Sequence, residues 1–558
     1  MKISSFDIFD TCLVRKCGTP ENMLDVLSLR VFKGMVDERV RQTFVVERHN
    51  AEARQWKNNS HVSLLDIYQD MQFTHPLIYP IEKLVAIETQ LENELLVPVL
   101  EMRDKIDAIR EKGHRIIYIS DMYLPYDFIY KKMNQYGFIK DGDSFYVSNA
   151  VGARKSDGEL FKYIHEREQL KYAQWHHYVD DEHNDFTIPR KLGIHANLIH
   201  HVYNPYPKHW QRNDYTIGFK YKSIIAGLSK ALSLSNNVNT HRDFVLDIIA
   251  PLYCSWVYEV LKQANEQQYQ RLYFLARDAH MIYHIALQMH HLFPDLELRY
   301  LYISRKSLYE GNQEYRLKYF EQEGLATTDA KVAIVDTTTG GTTMKVLNAE
   351  LEAYGYKKVG CFYYQLWNKI EDANPLDFQS MLYDDYVKLN TNNVRLFEHY
   401  FIYENFFSLN DEKKTIDYTF KNGIAKPVYS DVNDCLDVEI ENKSMWATIH
   451  ESLLEQYALS FIQLGLHRCA ESIFENIAMP TLIQFMTWPE KHYLDPLCDF
   501  YSNFEIFKEL TPCIRKQPLW KVLLKTKKDR KYYWRRGVVV LNTPTWLLRI
   551  IQYIKKQQ

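Results

Sequence analysis

Short apolar runs bounded by turn-forming residues recur through the first 200 positions, and helix-period stretches separate them. The chain opens on an apolar segment ending at Phe6, and Arg115-Ile-Ile-Tyr-Ile-Ser120, Ser144-Phe-Tyr-Val-Ser148, Trp175-His-His-Tyr-Val-Asp180 and Gly193-Ile-His-Ala-Asn-Leu follow. Each has the length and the β-branched or aromatic content of a buried strand. Residues 20–100 read instead as helices, with amphipathic stretches such as Pro80-Ile-Glu-Lys-Leu-Val-Ala-Ile-Glu. A helical stretch over about 217–265 leads into a second alternating block. Its strands are Arg271-Leu-Tyr-Phe-Leu-Ala276, Leu298-Arg-Tyr-Leu-Tyr-Ile-Ser304, Val332-Ala-Ile-Val-Asp336 and Lys358-Val-Gly-Cys-Phe-Tyr-Tyr364. Strands alternating with helices predict an α/β fold with two doubly wound parallel sheets, whose ligand sites lie at the C-terminal strand ends. The predicted domains are 1–205 with a helical insert at about 15–100, then 206–405, then a mainly helical region 406–558. Tyr203-Asn-Pro-Tyr-Pro-Lys-His reads as a linker.

Composition narrows the class. A chain of 558 residues exceeds one hydrophobic core, which agrees with several domains. A net charge of −3 argues against a nucleic-acid binder. Eight cysteines without a C-x-x-C pair point to a reducing cytoplasm, with neither a disulfide framework nor structural zinc. The first strand starts at the N-terminus and leaves no room for a signal peptide, and no apolar run reaches the ~20 residues that span a bilayer.

The chemistry sits at strand ends. Phe6-Asp7-Ile8-Phe9-Asp10-Thr11 resembles the nucleophile loop of the haloacid dehalogenase (HAD) superfamily. A carboxylate just past a buried strand can attack phosphorus in line, with Mg²⁺ neutralising the phosphoryl oxygens. Three further segments match the family's elements in order: Ser120, Lys155 in Arg154-Lys-Ser-Asp-Gly, and Val179-Asp180-Asp181-Glu-His-Asn-Asp185. The resemblance implies Asp7 as nucleophile, Ser120 as phosphoryl donor partner and Lys155 as charge balance. It further implies Mg²⁺ held by Asp7, the Phe9 backbone carbonyl, Asp180 and Asp185, under a helical cap. The family loop is D-x-D-x-T. Here Phe9 stands at the second acidic position and Asp10 falls one place later, which leaves two readings: Asp10 transfers the proton from a shifted position, or turnover is slow.

A second phosphate signal follows. Val332-Ala-Ile-Val-Asp336-Thr337-Thr338-Thr339-Gly340-Gly341-Thr342 resembles the loop of type I phosphoribosyltransferases that binds phosphoribosyl pyrophosphate (PRPP). Backbone N–H groups at a helix N-terminus, with Thr hydroxyls, suit a 5-phosphate, and Gly340 and Gly341 allow close approach. The resemblance implies Asp336 on the ribose hydroxyls, Arg277 and Asp278 in the pyrophosphate loop, and Arg305 and Lys306 as further cationic contacts. Asp278 is the candidate base for the acceptor. The family loop carries two adjacent acids where this chain has Asp336 alone. Two other readings of the same residues stand beside this one: a generic phosphate nest and a tight strand-to-helix turn.

Joined, the two signals imply a bifunctional enzyme that moves ribose 5-phosphate from PRPP to an acceptor sugar and then removes the 5-phosphate. That resembles ribofuranosyl transfer in bacterial surface-polysaccharide assembly, with a lipid-linked glycan as acceptor. The rivals are a HAD phosphatase of a soluble sugar phosphate or nucleotide with a regulatory second domain, and a non-catalytic scaffold of glycan assembly. Residues 521–536 hold eight Lys and Arg against Asp529 alone, and Trp546-Leu-Leu-Arg-Ile-Ile follows. This tail suits the anionic inner leaflet of a membrane, or docking as a basic helix on an acidic protein surface.

Overall fold

The computed structural model describes residues 2–33, 37–75, 79–180, 186–199, 217–236, 245–339, 342–366, 378–380, 408, 410–430 and 443–479. The chain divides into two units, Met1–Asn237 and Val238–Gln558.

The first unit is built on five parallel strands: β1 (Ile3–Asp7), β4 (Arg115–Ser120), β5 (Ser144–Val147), β6 (Trp175–Val179) and β7 (His195–Leu198). Their spatial order is β5-β4-β1-β6-β7. The sequence runs outward from β1 in both directions, so the order reverses there and opens a crevice at the C-terminal ends of β1 and its neighbours. All five residues of β1 are buried, two of them serines. Their hydroxyls are satisfied inside: Trp175 Nε1 donates to Ser5 Oγ at 2.7 Å, and Ser4 and Ser5 bond His114 and His177.

Two short antiparallel strands, β2 (Leu13–Arg15) and β3 (Leu96–Pro98), form a neck at which the chain leaves the sheet and returns. Between them lie helices Pro20–Phe32, Glu38–Asn58, Leu64–Asp70 and Ile81–Leu95. The first three carry side-chain caps: Thr19 before Pro20, Asp37, and a Ser63/Asp66 capping box. Arg15 pairs with Glu92, and Arg48 with Glu88, wholly inside this insert. A buried guanidinium keeps its charge only with such a carboxylate. Helix Ile217–Leu234 also belongs to the first unit. Gly227 lets it approach the neck, since a Cβ there would stand 2.5 Å from the Cys17 carbonyl carbon.

The second unit repeats the theme. Strands β8 (Arg271–Leu275), β9 (Glu297–Leu301), β10 (Val332–Thr339), β11 (Gly360–Leu366) and β12 (Phe378–Ser380) are parallel, in the order β12-β11-β10-β8-β9. The reversal falls between β8 and β10. The α/β expectation holds for both units.

Two expectations need correction. The strand expected to end at Asp336 runs on to Thr339, where Thr338 and Thr339 pair with Gln365 and Leu366 of β11. Three successive β-branched threonines favour the extended ladder over a loop. The region from 406 onward is also not simply helical: β13 (Thr415–Lys421) and β14 (Ile424–Tyr429) form an antiparallel hairpin. Its turn is Asn422-Gly423 with φ of 54° and 78°, the left-handed pair that a two-residue hairpin turn requires. Tyr418 of the hairpin stacks on Tyr319 at 5.0 Å within the core of the second unit. Helix Lys443–Gln463 packs against helices His280–Met289 and Ala250–Glu266. Among the described residues no helix is long and apolar enough to cross a membrane.

Candidate active site

Asp7 ends β1 at the point where the strand order of the first sheet reverses. Ser120 ends β4 on one side, and Asp180 follows β6 on the other. Lys155 comes from the turn before helix Glu159–Arg167, and its Nζ donates to Asp7 Oδ1 at 2.5 Å with both side chains buried. Thr11 Oγ1 donates to Asp180 Oδ1 at 3.0 Å and orients it toward the loop. Sheet order and loop closure thus gather four residues that are up to 173 positions apart in sequence.

Burial dominates the electrostatics. Burial pushes the Asp7 carboxyl up to about 7; Lys155 opposes the rise and Asp180 adds to it. Burial also lifts Asp10 to about 6, against the pull of the Arg15 guanidinium and with a further push from Asp7. The backbone of Asp10 is left-handed, with φ of 55°, and its amide donates to Leu13 O at 2.7 Å. That twist turns the loop so that Asp10 lines a cavity of about 670 Å³ between the strand ends and the helical insert. An all-oxygen donor set of clustered carboxylates suits a hard divalent cation such as Mg²⁺. Asp185 and Asp181 lie outside the described residues.

Sequence reasoning missed Asp121. Its half-buried carboxylate accepts the Lys155 amide with both oxygens at 2.9 Å, and so fixes the backbone that carries the lysine. It directly follows Ser120, so an acid one place past the second strand end was the available signal. The far wall of the cavity was not legible in sequence either. It comprises Arg15 at the neck, His49, Glu52 and Trp56 from helix Glu38–Asn58, and Arg154.

In the second unit, Arg277 and Asp278 follow β8, and Arg305 opens the helix Arg305–Tyr309 just after β9. Desolvation raises the carboxyl of half-buried Asp278, while the guanidinium groups of Arg277 and Arg305 pull it back. These three predicted residues therefore gather at one sheet edge. Lys306 is exposed. Asp336 lies on β10 one residue past the last β8 pair, and its Oδ1 accepts the Thr337 amide at 2.8 Å. Thr337 is fully buried, and among the described residues its hydroxyl has no hydrogen-bond partner. Thr342 starts helix Thr342–Ala353, and Gly340 and Gly341 lie outside the described residues.

No protein-family model matches the chain, and no curated protein does. Among solved structures, the chain is similar to a HAD family enzyme, bt-2542 from Bacteroides thetaiotaomicron. The identity is 14% over 36% of this chain and 93% of that one, with a TM-score of 0.28. It is also similar to the HAD-hydrolase YfnB from Bacillus subtilis, described as bound to magnesium. There the identity is 15% over 37% of this chain and 90% of that one, with a TM-score of 0.27. The reading of the site rests on its own geometry.

Proposed function

We propose that the first unit is a Mg²⁺-dependent phosphomonoester hydrolase working through an aspartyl phosphate on Asp7. The buried Asp7–Lys155 pair at the reversal of strand order, beside Asp180, carries this reading. An Asp7 oxygen forms a bond to phosphorus while the ester P–O bond breaks, and the leaving alkoxide takes a proton from the Asp10 carboxyl. Asp10, now a carboxylate, accepts a proton from the water that attacks phosphorus next, which releases phosphate and regenerates Asp7. Ser120 and Lys155 hold the phosphoryl oxygens throughout. Mg²⁺ held by Asp7, the Phe9 carbonyl, Asp180 and Asp185 would supply neutralising charge on the phosphoryl group. Hydrolysis of p-nitrophenyl phosphate should stop in EDTA and in Asp7→Asn; full activity in EDTA overturns the mechanism.

The finer reading joins the second unit to the same product. Arg277, Asp278 and Arg305, at a sheet edge where ligands of such folds bind, support a site for PRPP. Asp336 would hold the ribose hydroxyls, with Thr337, Thr338, Thr339, Gly340, Gly341 and Thr342 around the 5-phosphate and Lys306 at the rim. Ribose 5-phosphate would pass to a hydroxyl of a lipid-linked bacterial surface glycan, and the first unit would then remove its phosphate. One observation favours a sensing role instead: β10 runs through Thr339, which commits Thr338 and Thr339 to the ladder with β11. PRPP consumption with pyrophosphate release supports transfer, and binding without consumption supports sensing. The basic tail would hold the protein to anionic lipid. Deleting 521–558 should release it from anionic vesicles, and retained binding removes the tail from the account.

A further inference from the structure

Two histidines and three glutamates meet in the second unit, around the helix that follows the turn bearing Arg277 and Asp278. His280 and His284 stand one turn apart on helix His280–Met289, and Glu451 and Glu455 one turn apart on the facing helix Lys443–Gln463. Residues four apart lie on one helical face, so the two pairs look at each other across the packed helices. His280 Nε2 is 2.8 Å from Glu451 Oε2, His284 Nδ1 is 3.4 Å from Glu451 Oε1, and His284 Nδ1 is 2.9 Å from Glu455 Oε1. One ligand atom from each of His280, His284 and Glu451 falls within 4.8 Å of the others. Ligands bonded to one ion at about 2 Å stand no more than about 4 Å apart, so closing round an ion needs side-chain adjustments of under about 1 Å.

We propose that His280, His284 and Glu451, with Glu455 beside them, bind one divalent transition-metal ion that clamps the two helices together. A second observation points the same way. The remaining nitrogen of His280, Nδ1, faces Glu412 at 3.2 Å, and Glu412 in turn accepts the Tyr300 hydroxyl at 2.6 Å. A carboxylate behind a ligating imidazole, itself fixed by a hydrogen bond, is the outer support that metal-bound histidines carry. Among the described residues no Lys or Arg pairs with Glu412, Glu451 or Glu455, whose carboxylates meet the two imidazoles and the Tyr300 hydroxyl. Two imidazoles with carboxylate oxygens select zinc, cobalt, nickel, manganese or iron over magnesium and calcium. The ion would anchor the helix that starts two residues after Asp278, and hence the turn bearing Arg277 and Asp278. The Arg277 carbonyl is already held there by Asn410 Nδ2 at 2.8 Å.

The test uses the full chain, stripped of metal and then held in excess Mg²⁺ so that the carboxylate site of the first unit is filled. Co²⁺ titration should bring up visible d–d absorption with one tight equivalent, and Zn²⁺ should displace it. His284→Gln and Glu451→Gln should each weaken that equivalent at least about tenfold, and Glu412→Gln about ten- to a hundredfold. Zn²⁺ should raise the Tm of the parent protein and leave that of the variants unchanged. No cobalt spectrum from the parent protein in excess Mg²⁺ means that the cluster is a set of imidazolium–carboxylate pairs, and overturns the proposal whether or not the variants fold. Equal affinity in the His284→Gln, Glu451→Gln double variant overturns it as well.

Discussion

Asp7 and Asp10 are carboxyl groups held near neutrality by burial, and the sign of each pH effect follows from that. The Asp7 carboxyl sits at about 7 against an ordinary 3.8, so the folded protein prefers it protonated. Its contribution to stability is complete below 3.8 and is lost as pH rises through about 7. Metal-free protein should therefore melt at lower temperature as pH goes from 5 to 8, by an amount on the order of a few kcal/mol. Mg²⁺ should restore the loss at the upper end, and Asp7→Asn should remove most of the slope. A slope unchanged in the variant rejects Asp7 as its source. Asp10, raised to about 6, can give a proton to an alkoxide and take one from water near pH 6–7. Asp10→Asn should lower kcat by about 10²–10⁴-fold and erase the alkaline limb of the pH–rate profile, while Mg²⁺ affinity holds. The FDIFDT hexapeptide made Asp7 legible. The same hexapeptide offered Asp10 as the shifted acid, and folding set it on a left-handed backbone at the cavity wall.

The neck and the hairpin show what local signals do and do not carry. Strands β2 and β3 are three residues each, and nothing in Leu13–Arg15 announces a partner 83 residues away. Their pairing rests on the insert folding back and burying the Arg15–Glu92 pair. Helix Ile217–Leu234 seals the same neck through Gly227, where an added methyl would meet the backbone of Cys17 and Gly18 at 2.4–2.6 Å. Gly227→Ala should thus cost about 1–3 kcal/mol of stability, read as a lower Tm, and depress phosphatase turnover through the displaced neck. A neutral outcome on both readouts would show that the helix does not seat there. The hairpin is the opposite case. Asn422-Gly423 is a strong turn signal in plain view, and the helical expectation for that stretch overrode it. The threonine run after Asp336 erred in the other direction, since β-branched residues next to glycines were read as loop chemistry when the ladder with β11 could absorb them.

For the molecule as a whole, the two-step reading requires the units to fail differently. Asp7→Asn keeps the fold and removes the nucleophile, so the acceptor should accumulate with its ribose still phosphorylated, about 80 Da above the finished product by the chemistry proposed. Asp336→Asn should leave the acceptor unmodified while p-nitrophenyl phosphate hydrolysis continues, because sites without shared partners behave independently. Mass spectrometry of the acceptor separates these outcomes, and ribosylation at the normal rate in Asp336→Asn removes the second site from the scheme. The amino-acid order alone carried two α/β units, most of the strands of their parallel sheets and the acids at strand ends, since period-two and helix-period patterns and strand-end carboxylates are local properties. Folding was needed to bring Lys155 to Asp7, Asp121 behind Lys155, Arg15 to Glu92, and His280 with His284 opposite Glu451 and Glu455. These partners lie tens to hundreds of residues apart. Their meeting depends on the order in which strands pair and helices pack, which no window of sequence contains.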